Sequence, residues 1–149
     1  MGATSLRYPS HAPVSTSRVI VDRLWEAYPW PERNLPMRRM TITRLLTYTA
    51  QPDYVSDMER TRKQPTLAWD YGRIRHFYER LLAGEKLDAI EVDNQCDFGH
   101  IYPVPILLDG HHRLAASHLA GAPIILVSYS GRLDLLRYLT GERKTCPAA

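Results

Sequence analysis

The chain places Asp109-Gly110-His111-His112-Arg113 directly after the apolar run Ile106-Leu107-Leu108 and directly before Leu114-Ala115-Ala116. Asp can cap a helix and Gly accepts backbone torsions that other residues resist, so the Asp-Gly pair predicts a strand-to-helix turn. Two histidines and an arginine then fall in the first helical turn. Unsatisfied backbone N–H groups and the positive end of the helix dipole attract anions there, and an arginine adds a forked, charge-assisted grip on a phosphate. These residue types predict phosphate binding by Gly110, His111, His112 and Arg113. Asp109 is open to three roles: helix cap, ligand to a magnesium ion that bridges phosphates, or orienting partner of a histidine.

Chemistry on a bound phosphate also needs a carboxylate, as a base or as a metal ligand. Apolar and acidic residues alternate in Asp88-Ala89-Ile90-Glu91-Val92-Asp93, the period of a half-exposed strand, which sets Glu91 and Asp93 on one side. With Asp109 they are the candidate catalytic carboxylates, although solvated outward-facing residues account for Glu91 and Asp93 equally well. Cys96 and Cys146 form no C-x-x-C pair, and no His-x-x-x-His brings two rings to one helix face, so no zinc site or disulfide framework is expected.

The elements that must position these residues follow from local pattern. Helical spacing runs from Ile20 to Tyr28 and stops at Pro29, Pro31 and Pro36. Tyr54 to Arg62 is expected as a loop or short helix. Trp69 to Leu82 is expected as a helix with Ile74, Phe77, Tyr78, Leu81 and Leu82 on one side, ended by Gly84. Asn94 to Gly99 is expected to turn between two strands, the second of which, His100 to Leu108, carries Pro103 and Pro105 and so belongs at an edge or bulge. The helix after the turn stops at Gly121 and Pro123, and Ile124 to Val127 follows as a strand. Ser130 is positioned to cap a last helix from Arg132 to Leu139.

The order Gly110, Arg113, Ala116, Ala120-Gly121 and then an apolar strand resembles the signature of the ParB/sulfiredoxin superfamily. The likeness covers roughly Leu87 to Val127; outside that stretch, Thr41 to Leu46 resembles the superfamily's opening strand and turn, where a short strand leads into a helix. Partition proteins of that superfamily have Glu-Arg-Arg after the Gly where this chain has His111-His112-Arg113, so their cytidine-triphosphate clamp does not carry over. Sulfiredoxins have a reactive Cys at the position of His111, so reductase chemistry is not implied. The Asp-Gly-His-His-Arg form is closer to the branch of free-serine kinases and ParB-like proteins of phages and plasmids. The resemblance implies an α/β (α+β) fold, a small mixed sheet flanked by helices. It also implies binding of a nucleotide (ATP, ADP or CTP) with Mg2+, and hydrolysis or phosphoryl transfer to a small molecule.

At 149 residues the chain suits one domain, expected over residues 18–141 between a flexible arm (1–17) and a frayed tail (142–149). No apolar run approaches a membrane span and no secretory pattern opens the chain, so a cytoplasmic protein is expected. The net charge of +3 is uneven: residues 1–80 carry 13 Lys+Arg and 8 Asp+Glu, residues 81–149 carry 6 and 8. Arg38, Arg39, Arg60, Arg62 and Lys63 are therefore candidates for nucleic-acid phosphates, which reward clustered cations through counterion release. That alternative is a DNA-associated nuclease or accessory protein. A second alternative is a non-catalytic interaction domain whose interface is the aromatic segment Trp25, Tyr28 and Trp30.

Overall fold

The computed structural model describes residues 11–47, 67–97 and 100–147. In chain order the elements are β1 (His11–Ile20), α1 (Val21–Ala27), a 3-10 turn (Glu32–Asn34), α2 (Leu35–Arg38), α3 (Ile42–Thr47), α4 (Leu67–Leu82), β2 (Ile90–Asp97), β3 (His100–Asp109), α5 (His111–Leu119), β4 (Ile124–Arg132) and α6 (Leu133–Thr140). The fold is mixed α/β. The described residues fall into two compact units, the first from the segments up to Pro29, Asp88–Gly110 and Pro123 onward, the second from Trp30–Leu87 and His111–Ala122.

The first unit is a four-stranded sheet in the order β1-β4-β2-β3, with α1 and α6. β4 is antiparallel to β1 and parallel to β2, and β2 and β3 form an antiparallel pair. β3 lies at an edge, where the missing N–H groups of Pro103 and Pro105 are tolerated. Burial along β4 alternates, with Ile125, Val127 and Tyr129 inward against Val19, Ile90, Val92, Leu135 and Leu139 in the same core. Trp25 and Tyr28 are buried, so they serve packing in this unit.

Several boundaries differ from the sequence expectation. The arm expected over 1–17 gives way to β1 at His11, and Val19 and Ile20 finish that strand by pairing with Ile125 and Ile124 before the helix starts. Their β-branched side chains suit a pleated surface, and the strand partner decides between two admissible patterns. β2 runs on to Asp97, through the first residues of the expected turn. β4 extends to Arg132, past the expected Val127, because Asn94 reaches across from β2. Asn94 Oδ1 accepts the Arg132 N–H at 2.5 Å, and its Nδ2 donates to the Val104 carbonyl at 2.8 Å. The Tyr129 hydroxyl shares its proton between Asn94 Oδ1 (2.9 Å) and the Arg132 carbonyl (2.7 Å). Gly131 sits at φ +145° against Asn94, leaving no room for a Cβ. Ser130 therefore does not cap α6; Arg132 occupies the cap position, and its side chain caps no helix N–H. The tail expected to fray from 142 is fastened at Arg143, whose carbonyl accepts from Arg23 Nη1 at 2.8 Å while the same nitrogen donates to the Tyr138 carbonyl at 2.6 Å.

The second unit is helical among its described residues. Thr41 to Leu46, expected as a strand, is mostly helix α3, since Thr41 Oγ1 accepts the Arg44 N–H at 3.2 Å and Leu45 N–H bonds to the Thr41 carbonyl. A threonine cap of this kind outweighs β-propensity in so short a segment. α4 buries Tyr71, Ile74, Phe77 and Tyr78 and packs against α5, which buries Leu114, Ala115, Ala116 and Ser117. The small alanines allow close approach of the two helices. The expected element over Tyr54 to Arg62 lies outside the described residues.

Asp134 ties the start of α6 through a two-pronged pair with buried Arg132, 3.0 and 2.7 Å. Burial alone pushes its carboxyl up, but the Arg132 hydrogen bond and charge, the Leu135 N–H and Arg143 outweigh it and hold the group below its ordinary 3.8. A carboxylate held low contributes stability that is complete above the unfolded value and is lost as pH falls through the lower folded value. Asp134→Asn is therefore expected to be less stable than wild type at neutral pH, with the gap closing towards about pH 2. Urea midpoints measured across that range check it; a gap independent of pH contradicts it.

Candidate functional site

The strand-to-helix turn forms where the sequence indicates. β3 ends at Asp109, Gly110 adopts φ +110°, and α5 begins at His111. Asp109 and Gly110 belong to the first compact unit, His111, His112 and Arg113 to the second.

Within the first unit Asp109 is exposed and lies opposite Glu91 in the β2–β3 register, so two carboxylates are direct neighbours on adjacent strands. Burial alternates through Glu91, Val92, Asp93 and Asn94, which keeps Glu91 and Asp93 on the more exposed face, as the alternation implies. Asp93 is half-buried, and this desolvation raises its carboxyl above the ordinary 3.8. Among the described residues no three His, Cys, Asp or Glu side chains gather into a set able to hold a metal ion. Magnesium bridging nucleotide phosphates uses only one or two protein carboxylates, so Asp109 fits that more modest requirement.

Gly110 is fixed by packing as well as by torsion. A Cβ built there would lie 2.5 Å from Ile90 Cβ and closer still to its Cγ2, and Ile90 is itself fully buried. The sheet core thus demands glycine at this position independently of any ligand.

Within the second unit the histidines are held by aromatic and acidic neighbours. His112 Nε2 lies 2.7 Å from Asp70 Oδ1, with the two side chains 17% and 25% exposed. The Trp69 ring meets His112 edge-on at 4.9 Å between centroids, and Trp30 meets His111 at 6.3 Å. Arg73, one turn beyond Trp69 on α4, stacks its guanidinium over Phe77 at 4.8 Å and Trp69 at 5.8 Å. The Arg113 side chain is half-exposed, and its carbonyl accepts the Ser117 hydroxyl at 2.8 Å. This is a first helical turn with one imidazole oriented by a carboxylate, a second imidazole beside an aromatic ring and a guanidinium adjacent, donor types that can hydrogen bond an anion.

Asp70 and Trp69 escaped the sequence reading. They sit 42 and 43 residues before His112, and an acid near a helix start has an ordinary explanation in the helix dipole. No local pattern links them to the turn. Of the candidate nucleic-acid residues, Arg38 and Arg39 are exposed at the end of α2, while Arg60, Arg62 and Lys63 lie outside the described residues. No helix among the described residues is long and apolar enough to cross a membrane. The chain has no match among protein-family models, curated proteins or solved structures.

Gly110→Ala is expected to destabilise the chain by more than about 1 kcal/mol, because alanine is strained at positive φ and its Cβ meets Ile90. A urea-midpoint comparison checks this. A variant as stable as wild type shows that Ile90 can yield and leaves no packing reason for glycine.

Proposed function

We infer that this chain binds the phosphates of a nucleotide at the first turn of α5, through His111, His112 and Arg113, and that it is a member of the ParB/sulfiredoxin superfamily. The observation that carries the binding reading is the ordering of that turn: His112 is pinned by Asp70 at 2.7 Å and His111 is flanked by Trp30, with Arg113 adjacent. Side chains already held in place lose little freedom when a ligand arrives, so their hydrogen bonds contribute more to affinity. The superfamily reading is supported by the chain order of β3, the Gly110 turn, α5 and β4, together with Arg113, Ala116 and Ala120-Gly121 at the positions of the signature. Gly110 supports it as a turn residue, since its positive φ and its contact with Ile90 already require glycine.

Hydrolysis or phosphoryl transfer to a small molecule is the activity this binding would serve. Asp109, Glu91 and Asp93 are the carboxylates assigned to it, with Mg2+ as the cation that would neutralise phosphate charge. Replacing a base or metal ligand lowers turnover by about 10²–10⁴-fold while binding survives better. Asp109→Asn, Glu91→Gln and Asp93→Asn are therefore expected to separate rate from affinity, at least one acting mainly on rate in a nucleotide-turnover assay. Unchanged turnover in all three makes these carboxylates structural.

One observation favours a second reading, non-specific DNA binding. Segments 30–87 and 111–122 carry 12 Lys+Arg and 7 Asp+Glu, so the unit that contains Arg113 is the basic one. Arg33, Arg38, Arg39 and Arg44 are exposed within it. Binding of this kind weakens steeply with salt, which distinguishes it from sequence-specific recognition.

Arg113 is the decisive residue for the first reading. Loss of a charge-assisted contact costs about 1.5–3 kcal/mol, so Arg113→Ala is expected to weaken nucleotide binding at least about tenfold. Calorimetry with ATP, ADP and CTP, with and without magnesium, measures it. A folded variant of unchanged affinity removes Arg113 from the site.

A further inference from the structure

The two edges of the sheet are built differently. β3 carries Pro103 and Pro105, whose missing N–H groups interrupt the row of donors that a further strand would need. β1, at the opposite edge, has its proline and its bulge at the start, with Pro13 inside the irregularity between Ala12 and Ser15. From Ser15 to Ile20 the strand is regular and contains no proline, lysine or acidic residue, the devices that usually blunt an edge. Among the described residues no strand lies beyond it.

The register fixes which backbone groups face that open edge. Val21 N–H donates to the Pro123 carbonyl at 3.0 Å, and the pairing continues without a shift from Ile20 opposite Ile124 to Ser15 opposite Tyr129. Bonded pairs alternate along an antiparallel ladder, so Val19, Ser17 and Ser15 bond to β4, while Thr16, Arg18 and Ile20 turn their N–H and C=O groups outward. Ile20 is the N-cap of α1, where its carbonyl accepts the first helical bond. Thr16 and Arg18 are thus the residues of this stretch that offer both a donor and an acceptor at the edge, and their side chains are exposed.

We propose that two copies of this chain join through β1, antiparallel and about a two-fold axis at Ser17, so that Thr16 of each copy bonds to Arg18 of the other. Each such pair exchanges both of its N–H···O bonds, and the two-fold axis makes the second pair identical to the first, so the outward groups of both residues are satisfied in both copies. The neighbouring registers lose on charge or on geometry. A two-fold axis at Arg18 sets two guanidiniums directly opposite each other, which is destabilising. An axis at Thr16 sets Arg18 against Val14, inside the bulged segment. With the axis at Ser17 the one charged side chain of the edge, Arg18, faces the Thr16 hydroxyl and Ser17 faces its own copy, so a strand of the same sequence meets β1 with hydroxyls where a bulky or charged residue would obstruct it. A pair of short strands buries area at the low end for specific association, so the dimer is weak and forms as concentration rises.

The test uses the full chain alone. Sedimentation from about 10 µM to about 1 mM is expected to show a reversible monomer–dimer equilibrium. Amide hydrogen exchange of wild type over the same range gives a residue-by-residue signature: the Thr16 and Arg18 amides are expected to slow by about threefold or more as the dimer forms, while Ser17 and Val19, already bonded to β4, keep the same protection throughout. Thr16→Pro removes an N–H that faces outward and leaves the bonds to β4 in place, so it is expected to abolish the dimer. A monomer at every concentration overturns the proposal. So does a dimer in which exchange at Thr16 and Arg18 is independent of concentration, which puts the contact elsewhere, or a folded Thr16→Pro variant that dimerises as wild type does. If Thr16→Pro fails to fold, the wild-type exchange pattern decides.

Discussion

One backbone torsion, φ +110° at Gly110, decides where β3 stops and α5 starts. Residues with a side chain resist this torsion, and the buried side chain of Ile90 occupies the place where a Cβ would go. Since α5 begins at the next residue, this constraint sets which residues form its first turn. His111, His112 and Arg113 occupy that turn because glycine immediately precedes them. A shift of one residue would rotate each side chain by about 100° around the helix and separate His112 from Asp70.

What gives the turn its chemical character is helix packing. Ala115 and Ala116 are fully buried and let α5 approach α4 closely, and α4 answers with Trp69 and Asp70 at the level of His112. The imidazole is enclosed by an aromatic edge and a carboxylate while Arg113 stays half-exposed. One side chain is thereby fixed in direction while its neighbour stays half-exposed, the combination on which the proposed anion recognition rests. In the first unit, by contrast, the buried polar groups satisfy one another. Asn94, Tyr129, Arg132 and Asp134 form a connected set of hydrogen bonds that shapes the β4–α6 junction. Burial, with the charge of Asp134 adding to it, pushes the Tyr129 hydroxyl far above its ordinary ionisation range, in keeping with a structural role.

The parts legible in the sequence were those set by neighbours in the chain. Helical spacing with a stop at Gly84 located α4, the Asp-Gly pair located the turn, and Pro103 with Pro105 marked β3 as an edge strand. What could not be read depended on distant partners. Ile20 belongs to a strand because Ile124 pairs with it, and β4 continues through Ser130 and Gly131 because Asn94 bonds to Arg132. Thr41 carried a local signal at odds with the strand that the superfamily resemblance implied: its hydroxyl caps helix α3. Asp70 illustrates the limit for the site itself, since its type and position in α4 are unremarkable until α5 is packed beside it.

Backbone amide spectra test most directly whether the first turn of α5 holds nucleotide phosphates, as proposed. On titration with ATP, saturable shifts are expected to centre on the N–H groups of His111, His112 and Arg113, with the Arg113 guanidinium following. Shifts centred on another element, or spectra that do not change as ATP is added, contradict it.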